Sequence, residues 1–199
     1  MNRRELLQAL GAAWAGGFTW TRQEVEAAEQ RARQARRAAA RAGTAYKPKF
    51  FTEHEWRTVR LLADMIIPRD ERSGSASDAG VPEFMDFMMI DQPWRQVPMR
   101  GGLAWLDLEC RERFGRVFVE CSDRERAALL DELAWPGRAR PELAHGVAFF
   151  NSFRDLTATG FWTSKMGIED LQYMGNTFVA EWKGCPEAQL KRLGVSYDT

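Results

Sequence analysis

The chain has 199 residues, of which 45% are apolar and 12% aromatic. This apolar fraction is sufficient for a hydrophobic core, so a wholly disordered chain is excluded, and the length suits one domain with a tail. Three cysteines and two histidines exclude a disulfide-dense scaffold and a histidine-rich metal cage. Basic and acidic residues number 28 each, but residues 1–49 hold ten basic and four acidic ones, so the rest of the chain is acidic. An acidic folded part argues against nucleic acid as the main partner.

The first 20 residues have the pattern of a twin-arginine export signal. Arg3 and Arg4 stand side by side, directly before an apolar run rich in alanine and glycine at 6–20. Gln8 and Thr19 interrupt this run, which is too short for a stable membrane anchor. The alternative is a chance arginine pair before an amphipathic helix. We expect export by the twin-arginine route to the periplasm or the periplasmic face of the inner membrane, and the cleavage point stays open.

The export signal has no evident purpose in this chain alone. Twin-arginine export normally serves cargo that folds before it crosses the membrane. The sequence has no G-x-G-x-x-G after a strand, no G-x-x-x-x-G-K-[ST] and no C-x-x-C. We therefore expect this chain to contain no cofactor site, and we interpret the signal as serving a partner that folds around a cofactor.

Residues 21–49 are predicted to form a basic helical tether or linker. The segment is rich in alanine, glutamate and arginine, which favour helix, but it has almost no large apolar side chains to bury. We expect an exposed helix. The alternative is a basic surface for acidic lipid or for the acidic face of a partner.

The globular part is predicted to be an all-α domain over residues 50–199, a small helical bundle with an irregular C-terminal segment. Capping boxes open helices at Thr52 and Ser122, each with a glutamate three residues later. Apolar residues then recur at helical spacing, while alternation of the kind found in strands is scarce. The polar run at 69–80 predicts a loop. The predicted helices span 52–67, 82–91, 98–115, 122–135 and 141–159, with a short one at 164–171.

The segment at 160–186 combines glycines with aromatic residues and has no sustained periodicity. Rings in an irregular segment must pack on the bundle itself or on another chain. Large apolar area beside a polar group is typical of interface anchors, so the candidate partner interface consists of Trp162, Tyr173, Asn176, Phe178 and Trp182. The alternative is that these residues close the core of the bundle.

The polar residues that could suggest chemistry have simpler interpretations. His54 and His145 are isolated and lack metal-ligand spacing, so no metal site is predicted. Ser164 is followed by Lys165 but has no partner base or oxyanion-hole pattern, so helix capping is favoured and no catalytic residue is assigned. Asp64 is expected to form an ion pair with Arg60 or Arg69.

The cysteines are an odd number for an exported protein. Cys110 and Cys121 could form a disulfide bond if the turn near Gly115 brings their segments together, and this pairing is left open. Three scattered cysteines do not predict an iron–sulfur cluster. Cys185 lies in a Gly-Cys-Pro sequence.

Several blocks together resemble the gluconate 2-dehydrogenase subunit 3 family, over roughly residues 50–186. They are FFTEHEWRTVRLLADMIIPRDE at 50–71, DAGVPEFMDFMM at 78–89, RFG at 113–115, and the stretch from 149 to 186. The last block is the most specific, because it combines TSK-x-G, Y-x-G-N and EW-x-GCP. The arginine pair fits as well, since small subunits of this family commonly carry the export signal of the complex.

The resemblance implies a non-catalytic accessory subunit. In that family the FAD and the oxidation chemistry belong to a large subunit of the glucose–methanol–choline (GMC) type, often with a cytochrome c subunit as electron acceptor. The small subunit supports assembly and export. The sugar or polyol oxidised is a property of the large subunit. The alternative function is an envelope-tethered structural protein without a dehydrogenase partner.

Overall fold

The computed structural model describes residues 21–41, 46–173, 175, 178, 180–181 and 184–197. Within these ranges all regular structure is helical, which confirms the all-α prediction. No helix of this described part is long and apolar enough to cross a lipid bilayer. The α-helices are α1 (Arg22–Arg41), α2 (Glu53–Ile66), α3 (Ala76–Ala79), α4 (Val81–Asp91), α5 (Gln96–Phe114), α6 (Asp123–Ala134), α7 (Ala144–Trp162), α8 (Lys165–Asp170) and α9 (Glu187–Leu193). Short 3-10 turns occupy Pro93–Arg95, Phe118–Glu120 and Pro141–Leu143.

Side-chain caps determine where three of these helices begin. Thr52 and Ser122 form the predicted capping boxes of α2 and α6 with Glu55 and Glu125. A third box, formed by Ser75 with a carboxylate three residues later, opens α3 inside the segment that was predicted to be a loop. That prediction is wrong for this single turn, because a helix of four residues leaves no periodic apolar pattern in a sequence.

The core of the bundle surrounds α7, which packs against α4, α5 and α6. Most of the large apolar side chains of α7 are buried in this core. Two glycines allow close packing here. A Cβ atom at Gly160 would lie 2.8 Å from the Phe84 ring, and one at Gly102 would lie 1.8 Å from the Phe149 ring. Among the largest fully buried side chains are Phe84, Phe118, Phe153, Phe161, Leu62, Leu106, Leu129 and Leu133.

A buried carboxylate fixes the chain as it enters the bundle. Asp86 of α4 is inaccessible to solvent. It accepts hydrogen bonds from the Tyr46 hydroxyl and the Lys49 backbone N–H, both at 2.8 Å, and from the backbone N–H groups of Phe50 at 2.9 Å and Phe51 at 3.1 Å. Residues 46–51 are therefore held against α4.

The first helix also packs on α4. It runs antiparallel to α4, because Arg31 lies 3.7 Å from Asp91 at the end of that helix and Arg36 lies 4.0 Å from Glu83 near its start. The predicted helix is confirmed, but its predicted exposure is wrong on the face that carries the buried Val25, Ala28 and Ala32. Small alanines let two helices approach closely without large apolar side chains. The role of residues 21–49 as a tether stays a prediction.

Candidate docking surface

The end of α7 and the short helix α8 form a tightly packed corner. Ser164 is buried, and its Oγ accepts a hydrogen bond from the Gly167 backbone N–H at 3.0 Å, so it caps α8 as predicted. A Cβ atom at Gly167 would lie 2.1 Å from the Phe161 carbonyl oxygen. Only glycine fits there without a shift, and α8 therefore stacks tightly on the end of α7.

Two arginines from other elements attach to this corner. The Arg33 guanidinium of α1 donates to the Thr163 carbonyl at 3.3 Å. Arg72, from the loop before α3, donates to the Asp170 carbonyl, and its Nε lies 3.2 Å from Asp170 Oδ1. A cavity of about 310 Å³ lies beside this contact. These contacts fix the position from which the aromatic C-terminal segment leaves the bundle.

The predicted interface residues that the structure describes are exposed. Trp162 at the end of α7 is 38% exposed, Tyr173 after α8 is 57% exposed, and Phe178 is 92% exposed. The Trp162 ring meets Phe161 edge-on with centroids 4.9 Å apart, so one of its sides is anchored on the bundle. Asn176 and Trp182 lie outside the described residues.

The described part of the tail makes its own local contacts. Gln172 has φ 54° and Gly175 has φ 81°, which turns the chain after α8. Further on, the Tyr197 hydroxyl accepts a hydrogen bond from the Cys185 backbone N–H at 2.7 Å. None of the side chains described between 175 and 197 is buried. The described residues of this stretch, Phe178 included, therefore do not close the core of the bundle, which was the alternative for the rings.

Two further exposed tryptophans were not predicted. Trp94 lies in the 3-10 turn between α4 and α5, and Trp135 caps the end of α6 beside a cavity of about 410 Å³. Their side chains are 65% and 62% exposed. A tryptophan next to a proline at a helix boundary is the sequence signal that could have found both.

The isolated polar candidates take structural roles. His54 Nε2 contacts Asp107 Oδ2 at 2.5 Å, which joins α2 to α5. His145 is exposed. Asp64 Oδ1 accepts a hydrogen bond from the Ser77 backbone N–H at 2.7 Å, whereas Arg69 pairs with Asp78 at 2.6 Å. Asp64 forms no ion pair with another described residue, so the expected pair with Arg60 or Arg69 is wrong. Asp64 instead holds the first turn of α3, where backbone N–H groups lack partners within the helix.

Burial perturbs a few titratable groups within the bundle. Desolvation raises the pKa of the Glu83 carboxyl above its ordinary value, although Arg36 opposes the shift. Desolvation lowers the pKa of the Arg95 guanidinium to about 10. Burial, together with the neighbouring Cys121 thiol, raises the pKa of Cys110 to about 12. These groups are dispersed over the bundle and do not surround one cleft, so they do not form a common acid–base site.

The cysteines remain thiols in this structure. Cys110 and Cys121 are buried, and Cys185 is exposed. Cys110 and Cys121 lie on either side of the turn near Gly115, and both belong to the buried core. A disulfide bond between them stays a prediction.

The fold and surface define an all-α protein that exposes several large aromatic side chains among its described residues. Its described residues include no group of three His, Cys, Asp or Glu side chains that could hold a metal ion. Residues 53–181 match the family described as gluconate 2-dehydrogenase subunit 3, and the chain belongs to that family. It is therefore an accessory subunit of a dehydrogenase complex that has other subunits. No curated protein and no solved structure matches the chain.

Proposed function

We propose that the chain is the non-catalytic small subunit of an FAD-dependent sugar or polyol dehydrogenase, and that it docks on a GMC-type catalytic subunit through its aromatic C-terminal segment. Family membership over residues 53–181 carries the proposal. The exposure of Phe178 and Tyr173 supports it, because large exposed rings beside polar groups are typical of interface anchors. FAD belongs to the partner, and a cytochrome c subunit accepts the electrons.

The proposal includes export. The arginine pair at Arg3 and Arg4 supports twin-arginine transport of the assembled pair to the periplasm or to the periplasmic face of the inner membrane. The catalytic subunit folds around its flavin before it crosses the membrane, and the small subunit supplies the signal for both chains. A small helical subunit without a cofactor motif would then carry the export signal on behalf of its folded partner.

The docking surface is tested by co-purification with the catalytic subunit encoded beside this chain. We expect Tyr173→Ser with Phe178→Ser to weaken the complex by roughly tenfold or more, because loss of interface rings commonly costs that much affinity. Trp94→Ser and Trp135→Ser are matched controls, since they remove exposed rings outside the C-terminal segment. Undiminished co-purification of the tail variant, with its normal helical circular dichroism, would show that docking uses another face.

Export is tested in the same cells. Arg3→Lys with Arg4→Lys should leave both subunits in the cytoplasm, while Arg37→Lys, on an exposed part of α1, should leave export unchanged. Fractionation followed by immunoblotting measures the outcome. A catalytic subunit that reaches the periplasm normally beside the double-lysine variant would contradict the escort role.

A further inference from the structure

The helix α5 carries an apolar face that the bundle leaves exposed. Its inner side packs in the core, where Leu103 and Leu106 are buried. On the other side, the helical stretch that begins with the 3-10 turn at Pro93 exposes a set that we call the outer face of α5: Trp94, Val97, Gly101, Ala104 and Leu108. The three large side chains of this set are each more than half exposed. A helix that is apolar on both sides is typical of one that is covered on both sides.

The spacing of the outer face is that of a helix–helix contact. Its members recur at intervals of three and four residues, as in helices that pair along their length. The helix α2 shows the contrasting pattern of a helix that faces water, because its exposed residues are Glu53, Arg57 and Arg60. The outer face of α5 therefore fits against another helix.

Gly101, at the middle of the outer face, is not required to be glycine by its own chain. No described atom lies within 4 Å of the position that a Cβ atom would take there, whereas a Cβ atom at the adjacent Gly102 would collide with the Phe149 ring. A glycine inside a helix destabilises that helix relative to alanine. Close approach of a second helix at this point would explain the missing side chain.

We propose that the outer face pairs with the same face of a second copy of this chain, as an antiparallel helix pair that crosses at Gly101. A two-fold axis through this point places Trp94 opposite Leu108 of the second copy, and Val97 opposite Ala104 of the second copy. Small residues at the crossing let the helices approach closely. Crossed helices diverge towards their ends, where the large side chains fill the wider gap. The outer face is thus complementary to itself.

The charge beside the outer face is compatible with this pairing. Arg100 is the charged residue nearest the crossing, and its guanidinium lies 4.5 Å from the centroid of the Phe50 ring and donates to the Phe50 carbonyl at 3.0 Å. Its Nε also lies 3.6 Å from Glu55 Oε1. Arg100 is therefore paired within its own chain, and two copies do not bring uncompensated like charges together at Gly101.

The area of the outer face suits a weak dimer. Trp94 and Leu108 are separated by about 21 Å along the helix, and one helix is about 10–12 Å wide. Such a contact is smaller than the roughly 800 Å² per partner of a standard stable interface, and much smaller than the contact of a permanently bound subunit. We therefore expect a dissociation constant of roughly 10–100 µM.

Sedimentation equilibrium of the full chain between roughly 5 and 500 µM, which brackets the expected constant, tests the pairing. We expect a monomer–dimer equilibrium that Gly101→Leu weakens at least roughly tenfold, because leucine occupies the crossing point. The Gly101→Leu monomer should nevertheless unfold at a higher temperature than the wild-type monomer, since leucine favours helix and its Cβ atom meets no described atom. Arg57→Leu, which adds the same side chain to the exposed side of α2, is the matched control and should leave the association unchanged.

A cysteine at the crossing tests the antiparallel register. The background is Cys185→Ser, which removes the exposed thiol. Oxidation with copper phenanthroline should cross-link Gly101→Cys into dimers at least roughly tenfold faster than Arg57→Cys, because the two-fold axis places position 101 opposite itself. Non-reducing gel electrophoresis measures the rates.

Three results would overturn the inference: a wild-type chain that stays monomeric over the whole range, a Gly101→Leu chain that associates as tightly as the wild type, and equal cross-linking of the two cysteine variants. A monomeric chain whose Gly101→Leu variant no longer co-purifies with the catalytic subunit would assign the outer face to that subunit instead. A monomeric chain that floats with phosphatidylglycerol vesicles, unless it carries Trp94→Ser, would assign the face to lipid. The variant Tyr173→Ser with Phe178→Ser should dimerise normally, so failure of the pairing is distinct from failure of the proposed function.

Discussion

At the residue scale, the buried Asp86 carboxylate accepts four hydrogen bonds. Asp86→Asn keeps one acceptor oxygen but turns an amide N–H₂ group towards backbone N–H donors of residues 49–51. Buried donors left without an acceptor cost roughly 1–3 kcal/mol each, so the free energy of unfolding should fall by about 3 kcal/mol. Urea denaturation measures the change.

Asp91→Asn, at the exposed end of the same helix, is the control and should cost less than about 1 kcal/mol. Equal losses for both variants would show that Asp86 does not anchor the entering chain.

Glu83 makes the free energy of unfolding depend on pH, and the direction of its pKa shift gives the sign. Its carboxyl is largely buried, Oε2 has no hydrogen-bond partner, and desolvation raises its pKa above the ordinary value of 4.5. The folded state then holds this proton more tightly than the unfolded state. Stability due to Glu83 is therefore present at low pH and is lost as the pH rises from about 4.5 through the raised pKa.

We expect Glu83→Gln to raise the midpoint of urea denaturation at pH 7, because the amide carries no charge to desolvate. The loss of stability that ionisation of Glu83 causes between pH 4.5 and 7 should be absent from this variant. Glu53→Gln is the control, since Glu53 is an exposed glutamate in the first turn of α2. A midpoint that is lower at pH 7 and unchanged in its pH dependence would mean that the Arg36 contact outweighs the cost of burial.

At the element scale, α1 tests whether small residues hold a helix in place. Ala28→Arg places a long charged side chain where the alanine has no exposed surface, and overpacking should detach α1 from α4. Ala27→Arg adds the same charge one position earlier, on the exposed face. Trypsin should cleave the arginine-rich helix of the Ala28→Arg chain at least roughly tenfold faster than that of the control. Equal cleavage rates would show that α1 is not held on the bundle through this face.

The helices show which sequence patterns are sufficient to predict a boundary or a packing contact, and which are not. The helices at Thr52 and Ser122 were predicted closely because a capping box and a run of apolar residues indicate the same boundary. The packing of α1 was not predicted, because alanines bury little area and give no strong apolar stripe. The partner of Asp64 was missed since a backbone N–H group of another element cannot be recognised in a sequence.

At the scale of the whole molecule, the candidate docking surface was only partly predictable. Composition indicated that the rings at Tyr173 and Phe178 need a surface to cover them, and the structure leaves both exposed. Composition could not show that Trp94 and Trp135 are also exposed, because a ring in a helical bundle is more often part of the core. Exposure depends on the direction in which each helix faces, and only tertiary packing determines that direction.

The last prediction separates the bundle from its aromatic tail. Removal of residues 175–199 deletes a segment whose described side chains include no buried one, so the free energy of unfolding should change by less than about 0.5 kcal/mol. Co-purification with the catalytic subunit should be lost, because the tail carries Phe178.

A control truncation after Thr163 also removes α8, in which Gly167 is buried and Met166 packs on the core, and it should destabilise the bundle. Thermal unfolding of the three chains distinguishes the cases. If the shorter truncation destabilised the bundle as much as the control does, the tail would be part of the core, and its rings would not be available to a partner.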